Sequence, residues 1–341
     1  YLKYMRAVHQ RGPAAFPGLF VEFNGNPEAW IYPPPNRIGF VVVSALWAGL
    51  FGAELTALQG LSFAAHLLGA LVNYLFARRH LGEPRALCFG VLWSFSPLLM
   101  GLSRLALTDS FTATCTSLSV WLLLEVVEAP ASRVRRVLFM AAFAFTVLVK
   151  EQAVLLAVPF AAFVLLERLG RRTPLPLSTM ALTLALPGVA AAAIMALAAG
   201  GMGVLVETSR AMLQSPATNE YATKYCSGPW FRYLIDYLCL SPGPTLLAIG
   251  FAGVLVRRLR SGSYDRTLVL MGLIAVLFLF EFSFFIKSVR YAVVLELPIR
   301  IFAVCMVCEI LETRKRVLSA LLCGGAVAVL CWLDWRTFDL Y

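Results

Sequence analysis

The sequence predicts an all-helical protein that crosses a membrane many times. Three observations carry that expectation. First, 60% of the 341 residues are hydrophobic and only 14% are charged, where a soluble domain carries about a quarter charged residues; mean hydropathy is +0.78. Second, the apolar residues fall in long runs, of the order of the roughly 20 residues that a helix needs to span a bilayer. Third, the basic residues stand in short clusters between those runs, on alternate connections, the pattern of the positive-inside rule. The net charge of +10 therefore has a topological origin. No continuous basic patch is present, which argues against nucleic acid.

Taken in order, Tyr1 to Gly12 carries Tyr1, Leu2, Met5 and Val8 at helical spacing with Lys3, Arg6 and Arg11 between them, a helix expected to lie in the membrane interface. A loop follows, ending in Trp30-Ile31-Tyr32-Pro33-Pro34-Pro35-Asn36-Arg37, whose prolines impose extended backbone. The apolar runs are then 38–52, 55–77, 86–102, 111–127, 137–149, 153–166, 177–199, 244–256, 267–285, 292–310 and 317–332.

Basic clusters at Arg78-Arg79-His80 with Arg85, Arg133 to Arg136, Arg168 to Arg172, Arg257 to Arg266 and Arg314-Lys315-Arg316 mark the cytoplasmic side. The turn 103–110, Lys150-Glu151-Gln152, the loop 200–243, Lys287–Tyr291 and the C-terminal tail then share the outer face. The run 38–52 is short, and no basic cluster separates it from the next. It is expected to lie at the outer face without crossing. This gives about ten spans, with a further one expected ahead of Tyr1. The chain reads as one transmembrane domain over 1–341, with 1–54 as an external juxtamembrane segment and 200–243 as a large external loop.

Six of the eight cysteines lie inside apolar runs, where a thiol is a small apolar filler. Cys305 and Cys308 have CxxC spacing without a second pair or a histidine cluster, which argues against zinc. Cys226 and Cys239 share one external loop, and whether they pair is open.

The outer face collects Glu22, Glu28, Tyr32, Arg37, Arg104, Asp109, Lys150, Glu151, Arg232, Asp236, Lys287, Arg290 and Tyr291. Ionisable residues at a membrane boundary between packed spans are costly and usually functional. Two readings of Asp109 stay open: a cap for the helix beginning near Phe111, or part of a site. Lys150 is similarly a snorkelling residue paired with Glu151, or, with Arg290 and Arg104, a binder of lipid phosphate. Glu296 and Arg300 stand four apart and pair internally on one helix face. His66 sits in mid-span as a helix–helix hydrogen-bonding residue.

Several motifs occur in a telling order: Tyr32-Pro33-Pro34-Pro35 after an external helix, the turn Ser103-Arg104 to Asp109, Lys150 in a short hairpin, and Arg290-Tyr291 with Pro298 downstream. The series resembles the polyprenyl-phosphate-sugar-dependent glycosyltransferases of the GT-C fold, closest to the protein O-mannosyltransferases and the aminoarabinose transferase of lipid A. The resemblance implies a GT-C-like fold and transfer of a sugar, with inversion, from a polyprenyl-phosphate donor to an acceptor at the outer face. It implies a bacterial inner membrane with the site facing the periplasm. It makes Asp109 the catalytic acidic position of this chain and places the principal catalytic aspartate ahead of Tyr1.

Substrate-binding roles fall to Arg104, Lys150, Arg290, Tyr291, Tyr32, Pro34, Arg37 and Glu28. Tyr32 stands where a His or Lys often precedes the proline pair, which leaves a divalent metal open. No cofactor is implied beyond the donor, and the partners are membrane lipids, the lipid-linked sugar and a lipid, glycan or protein acceptor. The physical case agrees: such a transfer needs a carboxylate to receive the acceptor's proton and cations to stabilise the departing phosphate. The rival class is a transporter or lipid flippase, which would place charge near the midplane and break helices in matching halves. A non-catalytic membrane subunit is the third class.

Overall fold

The computed structural model describes residues 1–218, 223–224, 226–285, 287–311 and 316–340. Arg314 and Lys315 of the last basic cluster, and Asn219, Glu220, Tyr221 and Tyr225 of the long loop, lie outside the described residues. Among the described residues every regular element is a helix, so the all-helical expectation holds.

Two short helices open the chain, α1 (Leu2–Arg11) and α2 (Phe16–Gly25). Each apolar run then becomes a helix or a helix pair: α3 (Ile38–Phe51), α4 (Leu55–Leu81), α5 (Glu83–Ser94) with α6 (Pro97–Ser103), α7 (Asp109–Glu128), α8 (Arg133–Val149), α9 (Ala157–Leu169) and α10 (Leu177–Ala199). The long loop is itself partly helical, with α11 (Met202–Thr218) and α12 (Arg232–Leu240). The last runs form α13 (Pro242–Arg260), α14 (Arg266–Leu273) continued through a π-turn into α15 (Leu279–Phe282), α16 (Glu296–Leu311) and α17 (Arg316–Leu340).

Among these helices, five are long and apolar enough to cross a bilayer, or six if the bent pair α5–α6 is one span. That is fewer than the ten expected, and length is the main reason. Helices α8 and α16 have 17 and 16 residues, about 24–26 Å at 1.5 Å per residue, short of an apolar layer of about 30 Å. The α5–α6 pair bends by 54° because Pro97 starts a new helix, capped by Ser96 accepting from the Leu99 amide, and so cannot continue the old one. Outward-facing Leu46, Leu50, Leu197 and Phe284 are strongly exposed, an arrangement that lipid satisfies and water does not. The chain is an integral, multi-pass membrane protein.

The bundle is ordered around α7, which packs between α4 and α8; α4 continues to α5, α5 to α16, and α16 to α13. Helix α1 does not simply float in the interface. Its Met5 and Val8 are buried where it packs on α3. His66 bridges helices as expected, with a ring nitrogen 3.2 Å from the Ser94 carbonyl oxygen. Arg300 pairs with Glu296 at 2.9 Å, and Asp334 of α17 joins them from across the interface while accepting from Ser241 at 2.7 Å. Cys226 and Cys239 are both free thiols.

Charge separates to the two ends of α7. Asp109 is its first residue, and Glu125 and Glu128 sit in its last turn. Twenty residues put about 30 Å between those ends. The far end gathers arginines of several basic clusters: Arg79 meets Glu125 and Glu128, Arg135 meets Glu125, and Arg266 meets Glu167. The near end holds the candidate site.

Candidate functional site at the start of helix α7

Asp109 does not cap its helix. Thr108 holds the N-cap position without a side-chain bond, and the Asp109 carboxylate, fully buried, points elsewhere. Its Oδ1 accepts from Lys150 Nζ at 2.6 Å, and its Oδ2 accepts from Arg290 Nη2 at 3.0 Å and Nε at 3.3 Å. Both oxygens are therefore taken up by cations, and charge-assisted bonds of this kind are about twice as strong as neutral ones.

Local backbone explains how Lys150 arrives. Helix α8 ends at Val149, and Lys150 adopts extended backbone (φ −154°, ψ 115°) before a 3-10 turn, Glu151–Leu156. One extended residue between two helical turns sends neighbouring side chains opposite ways. Lys150 goes to Asp109, while Glu151 grips Arg37 in a two-pronged contact, 3.0 Å on each prong. Of the two readings open for Lys150, the one that pairs it with Glu151 is therefore excluded. The Arg37 guanidinium also donates to the Tyr1 hydroxyl. Arg37 precedes α3, and α3 can approach α8 this closely because residue 39 is glycine: a Cβ there would sit 3.1 Å from the backbone of Leu148 and Val149.

Arg290 and Tyr291 lie on a 3-10 turn, Val289–Leu295, pinned by the Tyr237 hydroxyl donating to the Ala292 carbonyl at 2.8 Å. The Lys150 ammonium lies 5.0 Å from the Tyr291 ring centre, within cation–π range. Three cations, Lys150, Arg290 and Arg37, face two carboxylates, Asp109 and Glu151. One positive charge is left in excess, which suits an anion. Burial pushes the Lys150 ammonium below its ordinary pKa; the Arg37 and Arg290 guanidinia add to that, and Asp109 opposes it. Burial also raises the Tyr1 phenol to about 12, so it stays a neutral donor or acceptor.

The other sequence candidates are placed nearby but apart. Tyr32 and Glu28 are exposed and line a cavity of about 740 Å³ between α1, α2 and the proline loop, together with Tyr1, Tyr4, Glu22 and Pro33. The Tyr4 hydroxyl donates to the Pro33 carbonyl at 2.9 Å, which ties that loop to α1, and Pro34 is buried beneath it. Tyr1 belongs to both the cavity and the charged cluster. Arg104 does not join the cluster; it is exposed and stacks 5.6 Å from the Phe338 ring. The expectation that Arg104 converges with Asp109, Lys150 and Arg290 is corrected, since α6 ends at Ser103 and the chain turns before α7. Two members of the cluster were not singled out from sequence as Arg37's partners, Glu151 and Tyr1. For Glu151 a signal existed: adjacent residues do not face each other across a helix end.

Residues 38–195 match the model of the dolichyl-phosphate-mannose-protein mannosyltransferase family, a stretch that includes Asp109 and Lys150 but neither Arg37 nor Arg290. No curated protein matches the sequence significantly. Among solved structures, ArnT from Cupriavidus metallidurans bound to undecaprenyl phosphate superposes with a TM-score of 0.58 at 20% identity, covering 93% of this chain and 58% of that one. The apo state of the same protein gives 0.55 at 18% identity with the same coverage. The fold is thus the ArnT-like GT-C fold, and the chain spans 58% of the length of the ArnT chain.

Proposed function

We propose that this chain forms the membrane part of a glycosyltransferase that takes a sugar from a polyprenyl-phosphate donor. One observation carries the reading: a buried carboxylate, Asp109, holds Lys150 and Arg290 side by side at the end of the bundle. Supporting it are the family match over 38–195 and the likeness to an ArnT structure that contains undecaprenyl phosphate.

In this reading Lys150 and Arg290 hold the donor phosphate and stabilise the negative charge that develops as the sugar departs. Asp109 keeps both cations in place before the lipid arrives, which preorganises the site. With both oxygens occupied, it is poorly placed to accept a proton, so a carboxylate other than Asp109 receives the acceptor's proton. Arg37, fixed by Glu151, adds positive potential behind Lys150. The neighbouring cavity at Tyr1, Glu28 and Tyr32 receives the acceptor. The site lies at the outer, periplasmic end, because Arg79, Arg135, Arg172 and Arg266 of the basic clusters gather about 30 Å away at the other end of α7.

The test is Lys150→Ala in the whole protein, assayed for transfer from a lipid-linked sugar. Loss of one charge-assisted contact of about 1.5–3 kcal/mol lowers the rate about ten- to a hundred-fold if it is felt in the transition state. Unchanged transfer by a folded variant would overturn the assignment of the donor site.

A further inference from the structure

At the other end of α7 lies a second cavity of about 440 Å³, built from four separate parts of the chain. Arg79 and His80 come from the end of α4, Glu128 from the end of α7, Arg172 from the loop after α9, and Tyr264 to Thr267 from the start of α14. Its charges are not all matched. Arg79 is held by Glu125 and Glu128. Arg266 is held by the fully buried Glu167 at 2.9 Å, and also donates to the Arg172 carbonyl at 2.7 Å. Arg172 meets no carboxylate among the described residues. Its guanidinium instead lies 3.7 Å from the Tyr264 ring centre.

The loop that presents Arg172 is unusual in its backbone. Arg171 has φ +53° and is the one non-glycine residue in the left-handed region among those described, a conformation that persists where surrounding contacts enforce it and that gathers at functional sites. Beside it stands Gly170, where a Cβ would sit 2.1 Å from Arg172 Nη1. The guanidinium is folded back into the space that the missing side chain leaves.

One further feature points to an absent partner. The His80 side chain is 4% exposed; its Nδ1 is 3.3 Å from Glu128, and its buried Nε2 has no partner. The Asp265 carboxylate, which also lines the cavity, is engaged as the cap of α14, accepting from the Leu268 amide.

We infer that this cavity binds a phosphoryl group, with the Arg172 guanidinium as its principal ligand and Arg266 and Arg79 beside it. An anionic lipid headgroup and free phosphate present the same chemistry. Basic pockets between membrane helices are suited to acidic headgroups, and a planar guanidinium stacked on an aromatic ring is preorganised for phosphate oxygens in a way that an ammonium is not.

The whole protein, purified in detergent and freed of lipid, tests this by thermal unfolding. Phosphatidylglycerol, phosphatidylcholine and inorganic phosphate are added separately, the last against chloride at matched ionic strength. Phosphatidylglycerol is expected to raise the melting temperature of the native protein and of Arg133→Ala, which removes an equal charge outside the cavity, but not that of Arg172→Ala. Arg172→Lys is expected to bind at least tenfold more weakly than the native protein. A rise with inorganic phosphate that Arg172→Ala abolishes, without one from the lipid, makes free phosphate the source and leaves the site standing. An equal response of Arg172→Ala and the native protein, or no response of the native protein to either anion, overturns the proposal. Should Arg172→Ala not fold, a lack of retained phosphatidylglycerol on the native protein in native mass spectrometry overturns it instead.

Discussion

Lys150 Nζ sits 2.6 Å from Asp109 Oδ1 across 41 residues of sequence, while Glu151, its immediate neighbour, turns away to Arg37. The hairpin after α8 therefore does two jobs with adjacent residues. It delivers a cation to the start of α7 and a carboxylate to the start of α3.

Removing the Asp109 charge should strand two cations. Lys150 is 2% exposed, so Asp109→Asn is expected to destabilise the protein by about 3–5 kcal/mol, the cost of breaking a buried pair from one side. Asp109→Asn combined with Lys150→Met should recover much of that loss of stability without restoring transfer, because the stranded ammonium is gone. Heat-induced loss of the monodisperse peak measures both. A double variant no more stable than the single one would mean that Asp109 stabilises through something other than Lys150.

The alkaline limb of activity should belong to Lys150. Its pKa is depressed, with burial as the main cause, so the cation is present below that value and is lost as pH rises through it, earlier than for a free lysine. Donor affinity is expected to fall over that interval, and Lys150→Arg should move the fall to higher pH. Profiles of apparent donor KM against pH for the two proteins decide this; coincident alkaline limbs would assign the ionisation elsewhere.

Close approach of α3 to α8 should depend on Gly39. An added methyl meets main-chain atoms of Leu148 and Val149 at 3.1 Å, and such overpacking costs about 1–3 kcal/mol. Gly39→Ala is expected to lower both stability and activity, since it pushes Arg37 from Glu151. Gly18→Ala, with open space around its Cβ, serves as the control and should be neutral or slightly stabilising. Equal behaviour of the two variants would remove the packing argument.

Much of the architecture was legible because membrane helices announce themselves by apolar length, and each of the eleven runs became a helix or helix pair. What was not legible was geometric. The break at Ser96-Pro97 could be suspected from the proline, but its 54° bend could not be read. Asp109, Lys150 and Arg290 were singled out because each puts charge at a span boundary, and the fold brings these three together. Arg104 has the same signature and goes to Phe338, since charge at a boundary says nothing about direction. Between the two readings left open for Lys150 the sequence could not choose, because the single extended residue there that parts Lys150 from Glu151 is a backbone property with no residue-type marker. The far cavity was hidden for a similar reason: arginine clusters mark a membrane side, and only the fold shows which arginine is left without a carboxylate among the described residues.

The central claim is that Asp109 holds Lys150 and Arg290 ready for a lipid phosphate, and direct binding of polyprenyl phosphate to the purified whole protein tests it with no dependence on the sugar or the acceptor. Titration of the native protein, Arg290→Ala and Arg104→Ala gives three affinities to compare. The account predicts that Arg290→Ala binds about ten- to a hundred-fold more weakly, the loss of a charge-assisted contact of about 1.5–3 kcal/mol, and that Arg104→Ala binds as the native protein does. Unchanged affinity in Arg290→Ala, or an equal loss in Arg104→Ala, would contradict it.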